Sequence, residues 1–486
     1  MKQNKKNFKN KKTDNRNRNR PAPDKKPVKT IRELVKKEVL IDKLASTGEG
    51  IAKLEGMVYF VSGAVPGDTV QVNVPAQAGE KNYYHAKVDK IISSSPHRTK
   101  PQCAIFTECG ACQWQYMDYQ TQLDAKKSIV AEQFKHIGKI DVSSKINDCV
   151  GSKNAYGYRS KAQFVAGRSR SGQMVLGYYS EGSHRLISVP TCPVLHPNIN
   201  KILPDIITIL NSLHITAYDE ATHTGSLRHL VIIYSEHEDK FLLGLVVNEH
   251  SRLPQKQLTA ALTRAIPNLG GIIININSRE TNVIYGDKSF TLHGKDHVIE
   301  KLGNTLYKRG LTTFFQANND TADKIFSAIK ANLKSDEAVL DLYCGVGTIG
   351  LYMGDRAKLI VGLEENPESI KLAVQNAKLN KLSDEKAFFD VFNIERGLPE
   401  DIADIEFSSV IVDPPRKGLS KIAIEKIAEL SHDNVYYVTC NPTTAARDCS
   451  IFATLGYDIQ SVTPYDMFPQ TYHVEGLIIL RRRSAR

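Results

Sequence analysis

The C-terminal third of the chain predicts an α/β domain on a parallel sheet, preceded by a small all-β barrel and a mixed α+β region. Three observations carry the prediction. From Thr313 onward, short apolar runs alternate with helical patterns, as strands joined by crossover helices do. One run, Ala338 to Leu342, breaks into Tyr343-Cys344-Gly345-Val346-Gly347-Thr348, which reads as strand, glycine turn and helix start. Residues 31–92 instead hold short strand candidates separated by turn residues.

In chain order, residues 1–30 form a basic tail. Residues 1–29 carry twelve Lys or Arg and two Asp, so most of the net charge of +11 sits there. The tail is nearly free of apolar residues and is expected to be disordered, suited to a polyanion such as RNA. In residues 31–92, the runs 39–41, 58–61, 69–74 and 83–88 are strand candidates, with turns at Gly48-Glu49-Gly50, Gly56 and Pro66-Gly67-Asp68. That pattern suits an OB-like barrel. Residues 93–312 hold a cysteine-rich stretch, a helix from about Tyr119 to His136, and two buried strands, Leu230–Tyr234 and Phe241–Val247. Residues 313–486 form the α/β domain.

Composition sets further bounds. The chain has 486 residues, with 41% hydrophobic and 24% charged, ordinary values for a globular protein. No apolar run reaches about 18 residues, so neither a membrane span nor a membrane partner is expected. The first residues are too polar for a signal peptide. Eight cysteines without such a leader point to a reducing cytoplasm rather than a disulfide scaffold. A cytoplasmic monomer is expected.

The glycine turn allows a ligand to approach the backbone closely. Glu364 closes the next strand, placed to accept the hydroxyls of a ribose. This suits a dinucleotide or S-adenosylmethionine. The fourth strand, Ser409–Val412, ends in Asp413-Pro414-Pro415-Arg416, which resembles the substrate-side motif of Rossmann-like S-adenosylmethionine methyltransferases. Two prolines stiffen that loop and remove backbone donors. Adenine-N6 methyltransferases carry an aromatic residue after Asp-Pro-Pro, and many RNA cytosine-C5 methyltransferases carry a cysteine in the motif. Arg416 and the absence of that cysteine disfavour both classes.

The fifth strand, Val435–Thr439, delivers Cys440 to the carboxyl edge of the sheet, and Asn441-Pro442 turns the chain at once. A thiol there is a candidate nucleophile, whereas Cys344 and Cys449 suit the core. Carbon 5 of uracil is a poor nucleophile. Thiolate addition at carbon 6 makes it an enolate carbon that can attack a sulfonium methyl group. A base must then remove the carbon-5 proton. Glu475, in Tyr472-His473-Val474-Glu475 before a final buried strand, is the candidate base, with His473 as its rival.

Five motifs then occur in order. They are Phe314-Phe315-Gln316-Ala317-Asn318, the Asp341–Gly347 turn, Asp413–Arg416, Thr439-Cys440-Asn441-Pro442 and His473-Val474-Glu475. Together they resemble the RNA uracil-C5 methyltransferase family over residues 31–486. The resemblance implies that Gln316, Tyr343, Glu364 and Asp413 contact S-adenosylmethionine, with Cys440 as nucleophile and Glu475 as base. It also implies a polar cofactor contact after the third strand, from Asp390 or Asn393. The family often has Asn where Thr348 stands. In these terms the fold is a Rossmann-like methyltransferase domain behind a TRAM barrel and a central α+β domain. A protein that keeps the fold but only binds RNA is the non-catalytic alternative.

Cys103, Cys109 and Cys112 are spaced Cys-x5-Cys-x2-Cys, and Cys192, followed by Pro193, supplies a fourth thiol. Four thiolates suit Zn²⁺ or a [4Fe–4S] cluster. A lone fourth cysteine before proline is the more iron–sulfur-like pattern. The ribosomal-RNA branch of the family has the same pattern and carries [4Fe–4S]. The transfer-RNA branch often lacks both barrel and cluster. The resemblance therefore implies 23S rRNA as the substrate, with transfer RNA as the alternative. The target base would be flipped out of its stack. Tyr158–Phe164 and Leu227-Arg228-His229 resemble central-domain motifs of the family, whose basic residues could hold phosphate.

Overall fold

The computed structural model describes residues 34–76, 81–248, 253–402, 404–430 and 433–483; the basic tail lies outside the described residues. Six strands, Leu34–Leu40, Lys43–Leu44, Gly50–Leu54, Met57–Ser62, Thr69–Pro75 and Tyr83–Ser93, form one N-terminal sheet. Alternation decides which side faces inward: Val70, Val72 and Val74 are buried, while Asn73 is exposed. Val39, Ile41, Ala52, Tyr59 and Val61 complete that core. The buried Asp68 fastens the barrel to the chain that follows. It accepts from the amides of Val65 (2.8 Å) and Ser95 (2.9 Å) and pairs with Arg98.

The central sheet has seven strands. Leu227–Ser235 pairs antiparallel with Lys240–Val247, with Tyr234 opposite Phe241. Leu230, Ile232, Leu243 and Leu245 face the helices Pro197–Ser212 and Gln255–Ala265. The alternate residues Val231, Ile233, Leu242 and Val246 pack with Val298 and Leu311. Burial on both faces explains why these strands read as unbroken apolar runs.

The C-terminal sheet also has seven strands. In chain order they are Glu337–Leu342, Ala357–Glu364, Ala387–Val391, Ser409–Val412, Asn434–Thr439, Tyr457–Tyr465 and Glu475–Arg482. Their spatial order is third, second, first, fourth, fifth, seventh, sixth. The first five run parallel to one another, and the last runs antiparallel between the fifth and the sixth. The order reverses between the first and fourth strands. A crevice opens at such a switch point, beyond the carboxyl ends of the strands.

Two pieces from residues 93–312 pack against this sheet's layers. The helix Tyr119–Gln133 and the π-turn Phe134–Gly138 add Val130 and Phe134 to one side of its core. The hairpin His297–Gly310 adds Leu302 and Tyr307 to the other. Gly138 touches the helix Pro442–Thr454, which begins just after Cys440. A Cβ on Gly138 would lie 2.7 Å from the Ala446 carbonyl oxygen. Gly138→Val is therefore expected to lower unfolding free energy by about 1–3 kcal/mol, measured by urea denaturation.

Candidate active site

The first strand ends in a strained turn. Tyr343 holds the left-handed conformation (φ 60°), uncommon for a residue with a side chain, and Gly345 and Gly347 follow in the same region. Tyr343 Oη donates to Glu395 Oε1 at 2.9 Å. Glu364, at the tip of the second strand, accepts from the amides of Gly345 (3.3 Å) and Asn366 (3.0 Å), which ties the two strand ends together. Between this turn and Asp413 lies a narrow cleft, also walled by Gln316, Asp341, Thr348 and Ser369.

This cleft is acidic. Asp341 is fully buried and accepts from Gly350 N at 2.8 Å through one oxygen, while its other oxygen has no hydrogen-bond partner. Burial, then the charges of Asp413 and Glu364, push the Asp341 carboxyl up to about 7. Burial alone raises Asp413 to about 6. Among the described residues, no Lys, Arg or His lines the cleft. Such a site favours a ligand with positive charge and gives the pyrophosphate of a dinucleotide no counter-charge. S-adenosylmethionine, with a sulfonium and an ammonium, fits this donor set.

A larger cleft of about 1030 Å³ opens beside it, walled by Gln316, Cys440, Glu475, Arg416, His473 and, from the central region, Arg159 and Lys161. Phe314 and Gln316 line both clefts, and Phe314 is 74% exposed. Lys161 Nζ donates to the carbonyl of Leu311 at 2.9 Å, and burial lowers its pKa to about 8. Tyr285 stands beside it, accepting from Gln163 Nε2 at 2.6 Å.

Cys440 and Glu475 meet through strand pairing. The fifth and seventh strands run antiparallel with Thr439 opposite Gly476. One step further along that register puts Cys440 at the end of one strand and Glu475 at the start of the other. Asn441 accepts from Thr443 N as the N-cap of the next helix and Pro442 takes its first turn, so Cys440 faces the positive end of that helix. Burial nevertheless raises the Cys440 thiol to about 11, helped by the charges of Glu475 and Asp413 and opposed by Arg416. Glu475 is 8% exposed. Its pKa rises to about 8 through burial, then the Asp413 charge, with Arg416 again opposing.

Arg416 Nη2 lies 3.2 Å from His473 Nδ1, and a guanidinium can only donate, so Nδ1 accepts and the ring proton sits on Nε2. Burial, with the charges of Arg416 and Lys126, lowers its pKa to about 4. Asn393 lies off the cofactor cleft. Its oxygen accepts from Glu395 N at 3.0 Å and its amide donates to Glu365 Oε2 at 3.2 Å. Asp390 caps its neighbour's amide, Val391 N, at 2.8 Å. Sequence reading passed over three groups that the fold gathers here: Asp341, Phe314 and Arg416 as a cation beside Cys440 and Glu475. All three stood inside quoted motifs, but nothing in the motifs says which way their side chains turn.

Cys103, Cys109, Cys112 and Cys192 are electrostatic neighbours. Burial pushes Cys112 up to about 12, with Cys192, Cys109 and Cys103 adding to the shift, and Cys192 to about 11, with Cys103 and Cys109 adding. Among the described residues, no group of three or more His, Cys, Asp or Glu could hold a metal ion as it stands. Among the described residues, no helix is long and apolar enough to cross a membrane.

The raised pKa of Glu475 has a consequence for stability. Its folded value lies above its ordinary one, so its contribution is fully present below about pH 4.5 and is lost as pH rises through about 8. Glu475→Gln is expected to melt above the parent protein, with the gap widening from about pH 4.5 to about pH 8 in thermal unfolding.

The family described as tRNA (Uracil-5-)-methyltransferase matches residues 118–483, and the TRAM domain matches residues 36–87. An uncharacterized RNA methyltransferase of Clostridium acetobutylicum is 37% identical over 449 residues, 92% of this chain and 96% of that one. One from Halalkalibacterium halodurans is 34% identical over 450 residues, 92% of this chain and 97% of that one. Among solved structures, the Pyrococcus abyssi tRNA (uracil-54, C5)-methyltransferase in complex with S-adenosyl-L-homocysteine superposes with a TM-score of 0.71. It covers 91% of this chain and 100% of that one at 24% identity, a likeness of fold. This chain belongs to the tRNA (uracil-5-)-methyltransferase family of S-adenosylmethionine-dependent RNA methyltransferases and carries an N-terminal TRAM domain.

Proposed function

We propose that the protein methylates carbon 5 of a uridine in 23S rRNA, with Cys440 as nucleophile and Glu475 as base. The meeting of Cys440 and Glu475 at one edge of the large cleft carries the reading. The Cys440 sulfur attacks carbon 6 of the flipped uracil, and the electron pair of the ring double bond moves toward the 4-oxygen as an enolate. S-adenosylmethionine supplies an electrophilic methyl group to carbon 5. Glu475 then takes the carbon-5 proton, the ring double bond re-forms, and the bond to carbon 6 breaks with its electron pair returning to sulfur.

The other residues have separable tasks. Arg416 lowers the pKa of both Cys440 and Glu475, favouring the thiolate and the carboxylate the reaction needs. Gln316, Tyr343, Glu364, Asp341 and Asp413 hold the cofactor, their acidity matched to its cations. Phe314, exposed between the two clefts, offers the flipped base a stacking face. Arg159 and Lys161 face the RNA backbone.

The four thiols would hold a [4Fe–4S] cluster. Bound there, its iron would neutralise thiolates that otherwise repel one another and would staple residues 103–112 to Cys192. No step of methyl transfer runs through it. The four-thiol set carries the choice of ribosomal RNA. Transfer RNA is the second reading, favoured by the superposition on a tRNA enzyme over 91% of this chain, a span that leaves the barrel without power to discriminate.

Mass-spectrometric mapping of 5-methyluridine in cells lacking the protein tests the substrate. Loss from one 23S rRNA position is expected, and loss from tRNA alone would replace the first reading with the second. Cys440→Ala should form no covalent adduct with 5-fluorouridine RNA. Glu475→Gln should slow turnover by about 10²–10⁴-fold.

A further inference from the structure

We propose that Gln122 and Lys126, on a helix that lies outside both clefts, are positioning residues for Glu475. The two strands that flank the base are joined by a nine-residue hairpin loop, 466–474, whose closing pair is Tyr465 opposite Glu475. A loop of that length costs conformational entropy to order, and slack in it would reach Glu475 first. The loop is held instead by buried polar contacts.

Gln122 and Lys126 are four residues apart, so they share one face of the helix Tyr119–Gln133. Both are fully buried, as are Asp466 and Gln470 on the loop. Lys126 Nζ pairs with Asp466 and donates to the Phe468 carbonyl at 3.2 Å. Gln122 grips Gln470 twice. Its Oε1 accepts from Gln470 N at 3.0 Å, and its Nε2 donates to Gln470 Oε1 at 3.2 Å. The Gln470 carbonyl in turn accepts from the amides of Gln113 and Trp114, each at 3.0 Å. Gln470 stands in the left-handed region (φ 72°), a conformation that a side-chain-bearing residue keeps only when its surroundings impose it. Two buried polar side chains on the loop, Asp466 and Gln470, thus meet two from the helix, and such groups are costly to bury unless they are paired. What they hold is the segment that ends in His473 and Glu475.

The inference rests on the proposed role of Glu475 as the base that resolves the adduct. Its signature is thus a stalled intermediate, which general loosening of the fold would not produce. Gln122→Leu removes both contacts to Gln470 at similar volume. With ordinary uridine RNA and S-adenosylmethionine, it is expected to accumulate the methylated Cys440–RNA adduct on denaturing gels, as Glu475→Gln does. Its kcat should fall by about 10²-fold, the cost of misplacing a reacting group by about 1 Å, with KM for RNA little changed. The pair Lys126→Met with Asp466→Asn removes the other grip without leaving a buried charge alone, and serves if Gln122→Leu does not fold. Unchanged turnover, or adduct formation falling in step with turnover, overturns the inference. If Glu475→Gln itself accumulates no adduct, the role of Glu475 fails instead.

Discussion

The antiparallel pairing of the last strand with the fifth is the constraint on which the site depends. Parallel strands joined by helices bring only their carboxyl ends to the functional edge of a sheet. That geometry can place Glu364, Asp413 and Cys440 along one rim, but each stands at the end of its own strand. The hairpin formed by Tyr457–Tyr465 and Glu475–Arg482 inserts a strand of opposite direction. Its amino end therefore arrives at the same rim. Register then does the rest, because Thr439 opposite Gly476 leaves Cys440 and Glu475 as the next facing positions.

Charge is arranged unevenly along that rim. At the narrow cleft, Asp341 and Asp413 line the wall, the Glu364 charge acts on Asp341, and no basic side chain among the described residues joins them. Arg416, Arg159 and Lys161 line the larger cleft. Opposite fields of this kind suit a cationic ligand in one cleft and a polyanion in the other. Cys440 sits at the seam, raised by Glu475 and Asp413 and lowered by Arg416. Its reactivity depends on which charges occupy the neighbouring clefts.

The region before the C-terminal sheet contributes more than a wall of the larger cleft. The helix Tyr119–Gln133 feeds apolar residues into the core behind Cys440 and polar ones into the loop before Glu475. Trp114, fully buried, donates from its indole to the Gly48 carbonyl at 3.0 Å, and so links the barrel to the same loop. One short stretch of chain therefore touches the barrel, the cysteine-bearing segment and the loop that leads to Glu475.

Much of this was legible in the sequence. The alternation from Thr313 onward, the glycine turn and the strand ends at Glu364, Asp413 and Cys440 follow from local patterns, because a strand's carboxyl end is marked by the turn chemistry after it. Cys344 and Cys449 were read as core and are buried. Residues 93–312 were read as one unit, yet the helix Tyr119–Gln133 and the hairpin His297–Gly310 pack on the C-terminal sheet, since packing partners distant in sequence leave no local pattern. Asn393 stands off the narrow cleft, because the run 388–393 left Asp390 and Asn393 as alternatives three residues apart, and an odd step along extended chain reverses the side on which a side chain stands. By itself the sequence determined the element types, the acidic strand ends and the thiol at the rim, all matters of short-range pattern. Only the tertiary structure decided that Glu475 faces Cys440, that Asp341 is buried with an unpaired oxygen, and that Gln122 holds Gln470 from 348 residues away. Register and long-range burial set those contacts, and neither is written in any one segment of the chain.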